Sequence, residues 1–252
     1  MIDRKLYKGW FKQKDMSSWL CPTCNKGVLQ LDPKKFICEY NSATKQNIHE
    51  EWFEAPEWIV NTFTAVLTCT NPSCEEIVIS SGTGSIEPEH VETYDGFDLD
   101  YVEYYKPLFF HPSLQIFSIP DKTPEDVKKA IKSSFSLLFN NQTSAANQIR
   151  IALECLLTHM KINRYRNSRG KRKRLNLHER INLLPAKYQH VKDLCFAIKW
   201  LGNSGSHCGD EITMDNVFDG YDMLSFLLDE LYANRQTHAK QLAKKINTKK
   251  GV

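Results

Sequence analysis

Two close pairs of cysteines in the first third of the chain constrain its fold more than any other feature of the sequence. Cys21 and Cys24 enclose two residues, and Cys69 and Cys74 follow after forty-four intervening residues. Each pair places two thiolates on one tight turn. Two such turns together supply four sulfur ligands, which Zn²⁺ prefers at the corners of a tetrahedron in structural sites. The spacing therefore predicts a zinc ribbon.

Free structural thiols and two disulfide bonds are the alternatives to a zinc site. Disulfides need an oxidising compartment, and the polar start of the chain, with Asp3, Arg4 and Lys5, lacks the apolar core of a signal peptide. We therefore expect a cytoplasmic protein with reduced cysteines. Cys38 lies between the two pairs and could replace one ligand, but its strand-like surroundings favour a buried strand cysteine.

A zinc ion held by four cysteines has no open position at which water could be activated, so the predicted site is structural. The composition of the 252 residues, 41% hydrophobic and 25% charged, is that of a soluble protein with one large or two small domains. No apolar run approaches the roughly 18 residues of a membrane span, and we expect no membrane partner.

Charge is unevenly distributed along the chain, although the net charge is only +3. Residues 86–103 contain seven acids and no Lys or Arg, whereas residues 161–174 contain eight basic residues and no acid. Such segregation creates opposed surface fields, which can steer a partner or join two copies head to tail.

The sequence pattern divides the chain near residue 120 into a β-rich domain, 1–119, and a helical domain, 120–252. Before the division, short β-rich runs alternate with Pro, Gly and Asn. After it, Thr123 and Pro124 predict a helix start, and apolar stripes at helical spacing predict four long helices. These patterns indicate an α+β protein with a zinc-ribbon-like β segment followed by a four-helix bundle. The helices are predicted at about 124–140, 144–162, 187–201 and 215–234, with a short one at 177–184.

Three segments in the helical half, Ala145–Glu154, Leu177–Ile181 and Leu201–His207, carry a family resemblance. In this order they resemble a prokaryotic domain of unknown function related to the HEPN (higher-eukaryote and prokaryote nucleotide-binding) superfamily, whose members often carry an N-terminal zinc ribbon. The resemblance implies an all-α bundle, frequent dimerisation, and a role in restriction or antiphage defence, since similar domains are fused to type I restriction subunits.

Catalytic members of that superfamily are metal-independent ribonucleases that use an Arg, a polar residue just after it, and a His four to six residues further on. Asn203 and His207 match the polar residue and the His, whereas Gly202 stands where the Arg is expected. The resemblance leaves Lys199 or Arg150 to supply the missing positive charge. Alternatively, Gly202 and Gly205 end the third helix, Asn203 caps it and His207 hydrogen-bonds the turn.

Arg150 and Glu154 lie one helical turn apart in the second long helix. The functional interpretation places them in one polar cluster with His207, at the interior or rim of the bundle. The alternative is an ordinary surface ion pair, which stabilises a helix by a few tenths of a kcal/mol.

The basic segment between the second and third long helices is the best candidate for phosphate contact. Asn167, Ser168 and Gly170 predict a flexible loop, and Tyr165 could stack on a base. A solvated loop without a ligand is the alternative. Its basic residues are Arg164, Arg166, Arg169, Lys171, Arg172, Lys173 and Arg174.

Two functions of different classes follow from these patterns. In the first, the protein is a non-enzymatic homodimeric module of a prokaryotic antiphage-defence, restriction or toxin–antitoxin system, and it binds nucleic acid or a partner protein. In the second, it is a dimeric ribonuclease that uses His207 and Asn203, with Lys199 or Arg150 in place of the missing Arg and Glu154 in the same cluster.

Overall fold

The chain forms two compact units, residues 3–115 and residues 116–252, the second including the first two residues of the chain. The computed structural model describes residues 2–15, 18–93, 96–168, 170–204, 211–232 and 243–248. Among these residues, no helix combines the length and the apolar character needed to cross a membrane.

The first unit is built on a four-stranded antiparallel sheet in which the strands follow one another in chain order. Two short helices accompany it, α1 (Lys5–Lys8) and α2 (Ser42–Asn47). The sheet is a meander, since each strand pairs with the next strand of the chain. Its strands are β1 (Leu29–Tyr40), β2 (Val60–Cys69), β3 (Ile77–Thr93) and β4 (Gly96–His111).

Alternation along β2 explains why the sheet has one buried face. Phe63, Ala65, Leu67 and Cys69 are all buried, and the residues between them are more exposed. This period of two is the pattern of a strand with one face in the core. Aromatic rings fill that core, with Phe63 and Tyr105 at 5.3 Å between ring centroids.

The second unit is helical but contains a β-hairpin. The hairpin strands are β5 (Tyr165–Ser168) and β6 (Lys171–Arg174), joined by a turn in which Gly170 has a φ of 74°. Helix α4 packs against the four other helices of the unit, and its apolar residues are buried. The helices are α3 (Glu125–Leu137), α4 (Gln142–His159), α5 (Leu177–Asn182), α6 (Lys192–Ser204) and α7 (Met214–Tyr232).

The predicted fold class, a zinc-ribbon-like segment followed by an all-α HEPN-like four-helix bundle, is wrong. The N-terminal half holds a sheet with strands of 10 to 17 residues, in place of the short strands expected. The basic segment, expected as a loop, forms a β-hairpin within the helical half. Two residues between strands allow a tight turn with a positive φ at glycine, which is the common geometry for a β-hairpin.

Candidate metal centre and arginine-lined cavity

The sheet brings the two cysteine pairs together. Cys69 is the last residue of β2 and lies opposite Leu29, at the start of β1. Cys21 lies just before β1, in a turn closed by a hydrogen bond from its N–H to the Gly27 carbonyl, 2.8 Å. Pairing of β1 with β2 therefore places both turns at one end of the sheet.

The four sulfur atoms are spaced as ligands of one metal ion. The Sγ atoms of Cys21 and Cys74 are 3.8 Å apart, those of Cys24 and Cys69 are 3.6 Å apart, and all four lie within 4.8 Å of one another. A tetrahedral ion with metal–sulfur bonds of about 2.3 Å separates its ligands by about 3.8 Å. Disulfides would require about 2.05 Å, and these thiols are free. The cluster could hold a metal.

Cys38 lies away from this cluster. It pairs with Phe63 in the middle of the sheet, and burial raises the pKa of its thiol, which also interacts with the Tyr105 hydroxyl. The structure thus gives Cys38 a place in the strand and does not bring it to the four-cysteine group.

Backbone N–H groups prepare one of the four thiols for metal binding. The Gly27 N–H donates to Cys24 Sγ at 3.4 Å, and this bond, with a second from Lys26, lowers the pKa of Cys24 to about 6. Burial raises the pKa of Cys69 to about 12, and the sulfurs of Cys24 and Cys21 add to the increase. A bound cation would reverse that increase, because a coordinating thiol is deprotonated outright.

A second candidate site is a cavity of about 300 Å³ in the helical unit, which we call the arginine cavity. Helix α4, the two ends of the hairpin and helix α5 each contribute to its wall, and four guanidinium groups meet there with one carboxylate. It is lined by Arg150, Glu154, Arg164, Arg174, Leu175, Asn176, Leu177 and Arg180.

Arg180 is the buried member of this group, with only 5% of its surface exposed. It donates to the Glu154 carbonyl at 3.1 Å and to Thr158 Oγ1 at 2.9 Å, while its Nε is buried without a partner. Burial lowers the pKa of Arg180; the negative charge of Glu154 opposes this decrease, whereas the nearby cations Arg164 and Arg174 add to it. Sequence reasoning missed the role of Arg180, because its burial follows from helix packing.

Arg150 and Glu154 form an ion pair at 2.9 Å on the rim of the cavity, and each has 29% of its side chain exposed. The structure therefore brings this predicted pair together with part of the basic segment, which the sequence had given no reason to connect. The Arg150 Nε is also buried without a partner.

The other candidate catalytic residues divide between α6 and the undescribed part of the chain. Lys199 is buried, with its ammonium 3.1 Å from the centre of the Trp200 ring. Burial lowers the pKa of Lys199, and the charge of Arg150 contributes. Asn203 lies within α6, as does Gly202, so neither ends or caps the helix. Gly205 and His207 lie outside the described residues.

The hairpin presents most of the predicted phosphate-binding residues at the surface. Arg172 stacks on the Tyr165 ring at 4.0 Å, and Arg166 pairs with Glu179 at 3.3 Å. Leu175 N–H donates to the Arg164 carbonyl at 2.9 Å and closes the hairpin root beside the cavity. Arg169 lies outside the described residues. The exposed basic residues are Arg164, Arg166, Lys171, Arg172, Lys173 and Arg174.

A cysteine, a histidine and an aspartate also meet in the helical unit, but not as a nucleophilic triad. His159 Nε2 lies 2.7 Å from Asp126 Oδ1. Burial raises the pKa of Cys155, and the Asp126 carboxylate, to which its thiol is hydrogen-bonded, raises it further. A reactive cysteine needs a lowered pKa, which this arrangement does not provide.

Asn176 fixes the start of α5 and thereby the position of Arg180. Its side chain accepts from the Glu179 N–H at 2.9 Å, and the Glu179 carboxylate accepts from the Asn176 N–H at 2.9 Å, which completes a capping box. Asn176→Ala is expected to lower the free energy of unfolding by about 1 kcal/mol, measured by denaturant unfolding. Asn176→Asp keeps the acceptor and is expected to stay within about 0.5 kcal/mol. Equal losses for the two variants would contradict the capping role.

Part of each unit matches a family model that has no assigned function. Residues 9–110 match a family described as Domain of unknown function (DUF8608), and residues 132–249 match one described as Domain of unknown function (DUF4145). Searches of curated proteins and of solved structures found no match.

Proposed function

We propose that this protein is a nucleic-acid-binding module whose sheet unit is stabilised by a structural zinc ion. The observation that carries the proposal is the exposed basic hairpin, β5–β6, which continues at its root into the arginine cavity. The same proposal includes a role in a prokaryotic defence system, where the protein would act with a partner protein and as a homodimer. This part of the proposal rests on the family resemblance alone.

Zinc is the ion that fits the four-cysteine cluster best. Four thiolates in a tetrahedron select zinc or iron–sulfur chemistry over the hard cations, which prefer oxygen ligands. The sulfur separations of 3.6 and 3.8 Å match a single zinc ion. With four protein ligands, the ion holds the two turns together and leaves no site for substrate. Reduced cysteines at the cluster also fit a cytoplasmic setting, where thiols are kept reduced.

The hairpin has the two features that single-stranded nucleic acid needs for binding. Lys171, Arg172 and Lys173 follow one another on an exposed strand with alternate side chains on opposite faces, so that cations are available on both sides of the ribbon. Tyr165 offers an exposed ring, already covered on one face by Arg172, on which a base can stack. Phosphate charge would be neutralised along the ribbon, with release of counterions.

The test is the salt dependence of binding to a short single-stranded oligonucleotide. The triple variant Lys171→Gln, Arg172→Gln, Lys173→Gln is expected to bind at least about tenfold more weakly at low salt. Its plot of log K against log salt should flatten by about 0.7 for each cation that contacts a phosphate. Fluorescence anisotropy over a series of salt concentrations measures both quantities.

The matched control removes the same charge from another surface. Lys122, Lys129 and Lys132 are exposed in and before α3, and their replacement by glutamine changes the net charge equally. This variant is expected to retain the salt slope of the wild type. If both triple variants lose affinity equally, only net charge matters, and the hairpin is not the contact surface.

A further inference from the structure

We propose that the arginine cavity binds a phosphate monoester, supplied either by the end of a nucleic-acid strand or by a free mononucleotide. The inference deepens the proposed function and, for the strand end, rests on it. The shared chemistry is a terminal phosphate with two negative charges, in contrast to the single charge of a phosphodiester within a strand.

The charges of the cavity leave a surplus that a dianion would neutralise. Among its described lining residues the one carboxylate, Glu154, is already paired with Arg150. Within the described part of the chain, Arg164 and Arg174 have no ion-pair partner, and Arg180 donates only to a carbonyl and a hydroxyl. Three positive charges therefore face one another at a single cavity. Like charges in proximity repel, and a bound dianion would offset this repulsion through its attraction to each guanidinium.

Two of the arginines that line the cavity each have one enclosed donor without an acceptor. The Nε–H groups of Arg150 and Arg180 are both buried without a hydrogen-bond partner. Only 5% of the surface of Arg180 is exposed. A buried donor without an acceptor costs free energy. Phosphate oxygens are strong acceptors that match the guanidinium fork, so an anion in the cavity would add charge-assisted hydrogen bonds to the guanidinium groups that line it.

The size and place of the cavity favour a terminal phosphate over one within a strand. A volume of about 300 Å³ is at the lower end of small-ligand pockets. A phosphodiester within a strand carries a sugar on each side, and the cavity would have to accommodate both sugars. A phosphate monoester carries only one substituent. The cavity also lies at the hairpin root, where Arg164 and Leu175 close the strand pair. A strand that follows the hairpin towards its root would thus present its end to the cavity.

The experiment compares short single-stranded oligonucleotides of one sequence, labelled internally, that end in either a phosphate or a hydroxyl. Both ends of the strand are tested in turn, with the zinc-loaded full chain, by fluorescence anisotropy. We expect about tenfold tighter binding when one end is phosphorylated. This preference should fade as the pH falls below about 6, where a phosphate monoester loses its second charge. A purely structural cluster of arginines would show neither effect.

Two double variants with equal charge change locate the preference. Arg164→Gln with Arg174→Gln changes two exposed residues of the cavity and is expected to reduce the preference to about one. Lys171→Gln with Arg172→Gln changes the hairpin alone, and it is expected to weaken both oligonucleotides equally while the preference persists. Melting temperatures near that of the wild type establish that each variant is folded.

Competition separates the two sources of the phosphate. AMP should displace the phosphorylated oligonucleotide, and adenosine should not. If AMP binds and neither oligonucleotide does, the ligand is a free mononucleotide and the nucleic-acid proposal fails. Equal affinity for phosphorylated and hydroxyl ends, with no competition by AMP, overturns the inference and leaves nucleic-acid binding standing. The inference also fails if the Arg164, Arg174 variant keeps the preference.

Discussion

Cys69→Ser is expected to release the metal and to unfold much of the sheet unit. Cys69 is buried at the end of β2 and lies within ligand distance of the other three sulfurs. Serine is a poor zinc ligand, and the three remaining thiolates would hold the ion weakly. Zinc sites of this kind contribute apparent binding free energies of about 10–16 kcal/mol, comparable with the whole stability of a domain. We expect the free energy of unfolding to fall by about 5 kcal/mol or more.

Cys38→Ser provides the matched control, because Cys38 belongs to the same unit but lies outside the four-cysteine group. Elemental analysis should find about one zinc per chain in the wild type and in this control, and little in Cys69→Ser. Circular dichroism and limited proteolysis should show the loss of structure. Acid should have the same effect as the Cys69 change, since protonation of the thiolates competes with the metal. A folded sheet unit without metal would contradict the prediction.

The four-cysteine cluster could be predicted from the sequence because its signal is local. Each cysteine pair forms its own turn, and spacing alone indicates that the thiolates of a pair are close. What the sequence could not provide is the register that joins the pairs. Cys69 meets the first turn because β2 pairs with β1 at Leu29, and that register depends on the burial of one face of the whole sheet.

The outer parts of β3 and β4, residues 86–93 and 96–103, and the basic hairpin were missed for a common reason. Both are rich in charge, and exposed strands without a buried face do not alternate between apolar and polar residues. Leu99 and Tyr101 on β4 are about 45% exposed, so that even the apolar residues of this region do not mark a core. Hydrophobic periodicity detects strands through burial, and strands that project from the core lack that signal.

The arginine cavity could not be predicted because its wall is assembled from distant segments. Arg150 comes from α4, Arg164 and Arg174 from the hairpin ends, and Arg180 from α5. The sequence identified three of these four residues as candidates, but in two unrelated clusters. Their meeting depends on the hydrogen bond that closes the hairpin root and on the capping box that starts α5. Dimerisation and a role in defence stay predictions, because both came from the family resemblance.

Gly202→Ala is expected to destabilise the helical unit far more than Gly220→Ala, although both glycines lie in helix interiors. A Cβ at Gly202 would lie 2.5 Å from the Cβ of Arg150 and 3.2 Å from the Ala146 carbonyl oxygen. These atoms are fixed to the α4 backbone, so that only a shift of the helix could relieve the contact. A Cβ at Gly220 would meet Leu201 Cδ2 at 2.7 Å and Ile149 Cδ1 at 2.9 Å, which are ends of flexible side chains.

The two substitutions share one gain and differ in their cost. Alanine improves on glycine in a helix by about 1 kcal/mol. Overpacking costs about 1–3 kcal/mol. We expect the cost to be near the upper end of this range at Gly202, where backbone-fixed atoms are in the way, and near the lower end at Gly220, where flexible side chains can move. The free energy of unfolding should fall by about 2 kcal/mol for Gly202→Ala and change little for Gly220→Ala, as measured by denaturant unfolding. Gly202→Arg should be worse than Gly202→Ala, because the Cδ of Arg150, 2.9 Å from the added Cβ, blocks a longer side chain. Equal stability of the Gly202 and Gly220 alanine variants would show that α4 and α6 can separate at this crossing.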